Sequence, residues 1–234
     1  MGRRPHVAPR LHVTGAAAVL VLFGAGCGSS TAPGTPSFVF DFSVDTAGWI
    51  PGASDYTAGR TADLALQFGS ADLPSPLRGR ALRLGGNNIS DDLFLFYAHR
   101  VAGLDPDRAY RVRFSVDFAS NGGGDCIGGG GSLYLKAGAT AFAPDTVIRD
   151  GYVGLNLDKG SQSTGGSQAV ALGDAAHDGS GCEWGTGTRR SPAPGIEVRA
   201  DGQGRTWLLV GAESTFEAPM EVYFTRMTAT LEPE

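Results

Sequence analysis

Tyr110-Arg111-Val112-Arg113-Phe114-Ser115-Val116-Asp117-Phe118 is the stretch that decides the fold. Tyr110, Val112, Phe114, Val116 and Phe118 share one parity. Arg111, Arg113, Ser115 and Asp117 share the other. Side chains alternate across a strand, so this pattern predicts a strand with one buried face and one wet face. The segment before it, Gly103-Leu104-Asp105-Pro106-Asp107-Arg108, has the residues that build turns.

Working outward, further strand signals fall at 38–42, 62–68, 80–84, 92–98, 132–137, 152–157, 167–172, 195–200, 205–212 and 219–231, with proline and glycine clusters between them. In the last of these, Val222 and Phe224 have one parity, while Met227, Ala229 and Leu231 have the other. That slip predicts a bulge near Thr225 and Arg226, or else a strand buried on both faces. No stretch of ten or more residues carries a helical stripe. The expected fold is all-β: a single antiparallel β-sandwich, jelly-roll-like, over residues 38–232. Two long glycine-rich segments, 119–131 and 158–194, read as loops.

The chain has 234 residues and a formal net charge of −5. It becomes more acidic if the start is removed, because residues 1–26 carry Arg3, Arg4 and Arg10 and no acid. Nothing in this balance points to nucleic acid. Lysine is rare: Lys136 and Lys159 stand against seventeen arginines, a bias typical of high-GC coding.

The N-terminus has its own pattern. The three arginines precede the apolar run Val13-Thr14-Gly15-Ala16-Ala17-Ala18-Val19-Leu20-Val21-Leu22-Phe23, followed by Gly24-Ala25-Gly26-Cys27. A basic start, a short apolar stretch and small residues before a cut site make a secretory signal. The run is too short for a membrane span, which needs about 20 apolar residues. With cysteine directly after Ala25-Gly26, the signal resembles that of bacterial lipoproteins. The resemblance implies cleavage after Gly26 and lipidation of Cys27, with residues 1–26 as signal peptide and 27–37 as a flexible tether. The alternative is an ordinary cut nearby that leaves Cys27 free. Gly24 stands where the usual lipoprotein pattern has leucine. Gly28 after the cysteine lacks the aspartate that retains many such proteins at an inner membrane. The resemblance therefore implies a lipid-anchored protein of the cell envelope facing away from the cytoplasm, in the outer membrane if there are two membranes.

Cys126 and Cys182 remain, each in a glycine-rich stretch. In an exported chain such a pair is expected to form a disulfide rather than a metal site. Catalytic signals are weak. His177, between Asp174 and Asp178, is a candidate metal ligand without further ligands in a recognisable spacing. Gly-x-Ser-x-Gly does not occur, and Gly128-Gly129-Gly130-Gly131-Ser132 lacks the end of a phosphate loop. Many carboxylates are available for glycoside hydrolysis, but any acidic chain offers such pairs. Among the tryptophans, Trp207 lies in the apolar run Thr206-Trp207-Leu208-Leu209-Val210 and reads as core. Trp49 follows the first strand at a turn, either as a core plug or as a ligand platform. Trp184 sits in the polar stretch Gly181-Cys182-Glu183-Trp184-Gly185, either as a platform beside the disulfide or as a cap on the sandwich end.

Residues 80–88, 91–96 and 101–112, with Phe40-Asp41-Phe42, Gly48-Trp49 and the closing Met220-Glu221-Val222-Tyr223-Phe224, resemble the jelly-roll carbohydrate-binding modules of bacterial glycoside hydrolases. The resemblance implies a non-catalytic domain that binds a glycan or another envelope component, but it carries over no aromatic residue of a binding face. From the residues themselves, the loops at one rim, with Trp184, Trp49 and Tyr152, are the expected contacts. The alternatives are a structural or assembly protein with a protein partner, and a polysaccharide hydrolase. Many of these modules carry a structural calcium and an acid in the last strand. Here that place holds Thr225-Arg226-Met227, which speaks against such a site, and no other cofactor is expected.

Overall fold

The computed structural model describes residues 34–123 and 125–234. The signal segment, Cys27 and most of the tether lie outside the described residues. The folded unit, Thr35–Glu234, is an antiparallel β-sandwich.

The first sheet runs β12 (Trp184–Arg190), β7 (Ala109–Asn121), β15 (Pro219–Pro233), β5 (Arg80–Asn87), β4 (Gln67–Asp72). β1 (Ser37–Asp41) adds to β15, and β13 (Ile196–Arg199) adds to β7. The second sheet runs β11 (Ala169–Asp174), β8 (Leu133–Thr140), β14 (Arg205–Ser214), β6 (Phe94–Ala102), β2 (Ile50–Ser54). A small third sheet joins β3 (Tyr56–Thr57), β10 (Tyr152–Leu155) and β9 (Thr146–Arg149). The consecutive strands β5, β6, β7 and β8 alternate between the two large sheets, giving the jelly-roll-like connectivity expected.

The alternating run behaves as its parity demands. Tyr110, Val112, Phe114, Val116 and Phe118 of β7 are all buried between the sheets. From the second sheet they meet Leu133, Leu135, Ala137 and Ala139 of β8 and Leu208, Val210 and Ala212 of β14. Burial of this apolar surface at about 25 cal/mol per Å² is the main force holding the sheets together. The parity slip in the last strand is a bulge: the register of β15 on β7 shifts between Phe224 and Arg226.

Four strands depart from the sequence pattern. β2, β3 and β9 are short, and β2 contains Pro51 and Gly52. The 62–68 signal divides into a 3-10 turn, Thr61–Leu64, and β4. The most informative departure is β12, which lies inside the supposed 158–194 loop. Its glycines read as looseness, but they are packing residues. A Cβ on Gly187 would lie 2.6 Å from the ring of its partner Phe118, and one on Gly185 would lie 2.7 Å from the ring of His177. Glycine there lets a ring lie flat across the neighbouring backbone.

Cys126 and Cys182 form a disulfide, with Cα atoms 5.1 Å apart. Around it the two glycine-rich segments exchange further bonds. The Gly123 N–H donates to the Gly181 carbonyl at 2.9 Å, and the Gly181 N–H donates to Asp125 at 2.8 Å. The two segments that the sequence left open are thus tied together, as expected of that cysteine pair.

Candidate functional site

Antiparallel register places residues of the second sheet's outer face in rows. Trp207 of β14 has Thr140 of β8 on one side and Arg100 of β6 on the other. The next row is Gly138, Leu209, Ala98 and Ile50; then come Lys136, Gly211, Phe96 and Gly52; then Tyr134, Glu213, Phe94 and Ser54. The two halves of this face are treated differently.

Over the last two rows lies a strap, residues 155–168. Leu155 and Leu157 pack on a cluster of Phe94, Phe96, Ala98 and Leu209. The two phenyl rings stack with centroids 5.6 Å apart. They lie flat because a Cβ on Gly52 would fall 2.3 Å from Phe96, and one on Gly211 would fall 2.6 Å from Phe94. Gly138 is also required, since a Cβ there would sit 2.4 Å from the Gln168 carbonyl at the end of the strap.

The strap is held by a buried charge network. The Lys136 ammonium donates to the carbonyls of Lys159 (3.0 Å) and Thr164 (2.9 Å) and pairs with Glu213 at 2.8 Å. The Lys159 ammonium pairs with Glu213 at 2.8 Å and with Asp55 at 3.1 Å, and lies 5.2 Å from the centroid of Phe94. Asp55 also accepts from the Ser54 hydroxyl at 3.0 Å. Burial pushes the Lys136 ammonium below its ordinary range, with Glu213 opposing the shift. Burial raises the Asp55 carboxyl, with Lys159 opposing. The only two lysines of the chain thus share one glutamate beneath a glycine-rich strap.

Towards Trp207 and β2 the face stays open. A groove of about 450 Å³ crosses from Trp207 past Ala98 and Phe96 to Ile50, Pro51 and Gly52. Its far wall is Tyr56, Leu66 and Phe68; its other wall is the segment Ala143–Thr146 between β8 and β9. Trp207 is half-buried and Ile50 is 58% exposed. The Arg100 guanidinium lies 5.9 Å from the centre of the Trp207 ring. Asp145 stands exposed in the wall, and its backbone N–H is held by the Asn156 side chain at 3.0 Å. A groove of this size with an aromatic floor and few polar groups suits a small ligand.

The residues expected to make contacts are not brought together here. Trp49 is 3% exposed and fills the core as a plug, edge-on to Phe40 (5.0 Å) and Phe42 (5.9 Å) and stacked on His99 (5.4 Å). In that position it presents no face to a ligand. Trp184 begins β12 instead of lying in a loop. It packs edge-on against Tyr223 at 5.4 Å, with Ala81 and Ala119, on the outer face of the first sheet. Its surface is half-covered, and it neither caps the sandwich end nor shares a face with the groove. Tyr152 is 38% exposed on the small sheet beside the groove, and its hydroxyl donates to Asp92 at 3.0 Å.

His177 is also accounted for. Its Nδ1 accepts from the Gly179 N–H at 2.9 Å, and its Nε2 faces the Glu183 carbonyl at 2.9 Å. Both ring nitrogens are therefore used, as a neutral imidazole with its proton on Nε2. Among the described residues, no group of three or more His, Cys, Asp or Glu is arranged to hold a metal.

The sequence reading missed Trp207, Arg100 and Ile50. The signal was the parity of β14. Leu208, Val210 and Ala212 point inward, so Trp207, Leu209, Gly211 and Glu213 must face out. The continuous apolar run hid this, because the strap buries Leu209 and leaves Trp207 half open.

No protein-family profile matches this sequence, and no curated protein matches it. Among solved structures, the chain is similar to the enzymatically active domain of tailspike protein 4 of bacteriophage CBA120: 7% identity and TM-score 0.33 over 80% of this chain. It spans only 19% of the length of that protein. It is also similar to TmCBM61 in complex with β-1,4-galactotriose: 9% identity, TM-score 0.35, covering 80% of this chain and 89% of the other. A third is the CBM22-1 xylan-binding domain of Paenibacillus barcinonensis Xyn10C: 8% identity, TM-score 0.37, covering 85% and 96%. At such identities the nature of any ligand has to be argued from the groove's own geometry.

Proposed function

We propose that this chain is a non-catalytic glycan-binding domain, anchored in the cell envelope through a lipid on Cys27. The observation that carries the reading is the open part of the second sheet, where Trp207 lies in a largely apolar groove with Asp145 and Thr146 in its lining. A sugar ring has an apolar C–H face that stacks on an indole, and hydroxyls that bond carboxylates and guanidinium groups. The groove supplies the indole of Trp207 and the carboxylate of Asp145. Its lining holds a single carboxylate, Asp145, whereas glycoside hydrolysis generally uses two. That supports binding over cleavage. The anchor rests on the resemblance of Gly24-Ala25-Gly26-Cys27 to lipoprotein signals.

The test is a glycan array probed with the purified protein and with a Trp207→Ala variant. The variant is expected to lose about tenfold or more in affinity, since an aromatic contact contributes about 0.5–1.5 kcal/mol beyond its buried area. Trp184→Ala should bind as the parent does, because it lies on the other sheet. Retention of no glycan, or equal binding by the Trp207→Ala variant, would refute the reading. Metabolic labelling with a fatty acid tests the anchor: label is expected in the parent and absent in Cys27→Ala.

A further inference from the structure

We infer that the glycan taken by this groove is acidic, a chain bearing uronate residues, with one carboxylate held by Arg100. This rests on the glycan reading and names its ligand class.

Arg100 and Trp207 are directly opposite each other in the register of β6 and β14, on the outer face, and Trp207 lines the groove. The guanidinium is exposed and lies 5.9 Å from the indole centroid. Elsewhere among the described residues Arg83, Arg108, Arg111 and Arg205 are each tied to an acid, while Arg78, Arg149, Arg190 and Arg226 are not; what sets Arg100 apart is its place against Trp207. Among the described residues Arg100 has no hydrogen-bond or ion-pair partner. Its row holds only the neutral Trp207 and Thr140. Arg100 is thus a charged fork held in place by an aromatic ring, with its donors free. A guanidinium presents parallel N–H groups that match a carboxylate in a bidentate pair. Fixing it against an indole beforehand reduces the ordering cost of binding.

Asp145 in the groove lining sets the polarity. It would repel a second carboxylate, and suits hydroxyls instead. A ligand spanning the groove would therefore place its acid at Trp207–Arg100 and its hydroxyls at Asp145. The overall charge of −5 opposes polyanions in general, so the recognition is local and not a polyelectrolyte effect.

The experiment is titration calorimetry with uronate-bearing oligosaccharides drawn from array hits, each beside its methyl ester. The ester keeps the ring and removes the charge. The parent is expected to bind the acid at least tenfold more tightly than the ester. Arg100→Gln should lose that advantage, binding acid and ester with about equal affinity. Equal parent affinity for acid and ester, or unchanged acid binding by Arg100→Gln, would overturn the inference and leave the glycan reading standing. Failure of the parent to bind any glycan, acidic or neutral, would remove both.

Discussion

Glu213→Gln should be the most damaging conservative change in this protein, lowering stability by about 3–5 kcal/mol in urea or thermal unfolding. The substitution keeps shape and removes one charge. Two ammonium groups, on Lys136 and Lys159, then lose their common counter-ion inside the protein. The side chains of Lys136 and Glu213 are 0% and 1% exposed, and that of Lys159 is 8% exposed, so water cannot take the carboxylate's place. For a domain of this size the loss corresponds to a fall in Tm of about 6–20 °C. The double variant Lys136→Met/Glu213→Leu should lose less than the sum of its parts, because it removes both members of a pair instead of stranding one. A loss below about 1 kcal/mol for Glu213→Gln would mean that the network behaves like a surface pair. Proteolysis should also report the strap: cleavage within 158–168 is expected to quicken in Glu213→Gln before the rest of the sandwich opens.

The second large effect is expected at the disulfide. Cys126 and Cys182 are 56 residues apart, and closing a loop of that length stabilises by about 4 kcal/mol in the chain-entropy model. Cys126→Ser/Cys182→Ser should unfold at correspondingly lower denaturant, and reduction of the parent should reproduce the shift. The pair lies where β7 and β12 pair near Trp184 and Asn121. The proposed glycan binding at Trp207 is expected to be unaffected when the variant is assayed under folding conditions, because the disulfide lies away from the groove lining. Equal stability of the oxidised parent and the serine variant would show that hydrogen bonds such as Gly123–Gly181 hold the segments unaided.

These two devices differ in how far they could be read beforehand. The cysteine pair was legible because the N-terminal pattern gave an expectation of export, and in an exported chain two cysteines are expected to pair. The charge network was not, because Lys136, Lys159, Glu213 and Asp55 lie far apart in the chain and meet only when β8, β14, the strap and the end of β2 are assembled. Rarity of lysine was visible, but it pointed to codon usage and not to burial.

By itself, the sequence determined the sandwich: alternation in 110–118 and turn residues between short apolar runs required two-faced strands, while the parity slip at Thr225–Arg226 left a bulge or a doubly buried strand, of which the structure has the bulge. Tertiary structure decided which face is open. A strand buried on both sides looks the same in sequence whether sheet or strap covers it, so Trp207 read as core, while Trp49 and Trp184 stayed open between packing and contact roles. Only the strap, pinned over one half of the second sheet by two buried ammonium groups, leaves the other half free. Glycine misled for the same reason. In β12 and at Gly52 and Gly211 it marks close contact with a ring, and such contact depends on a neighbour remote in the chain.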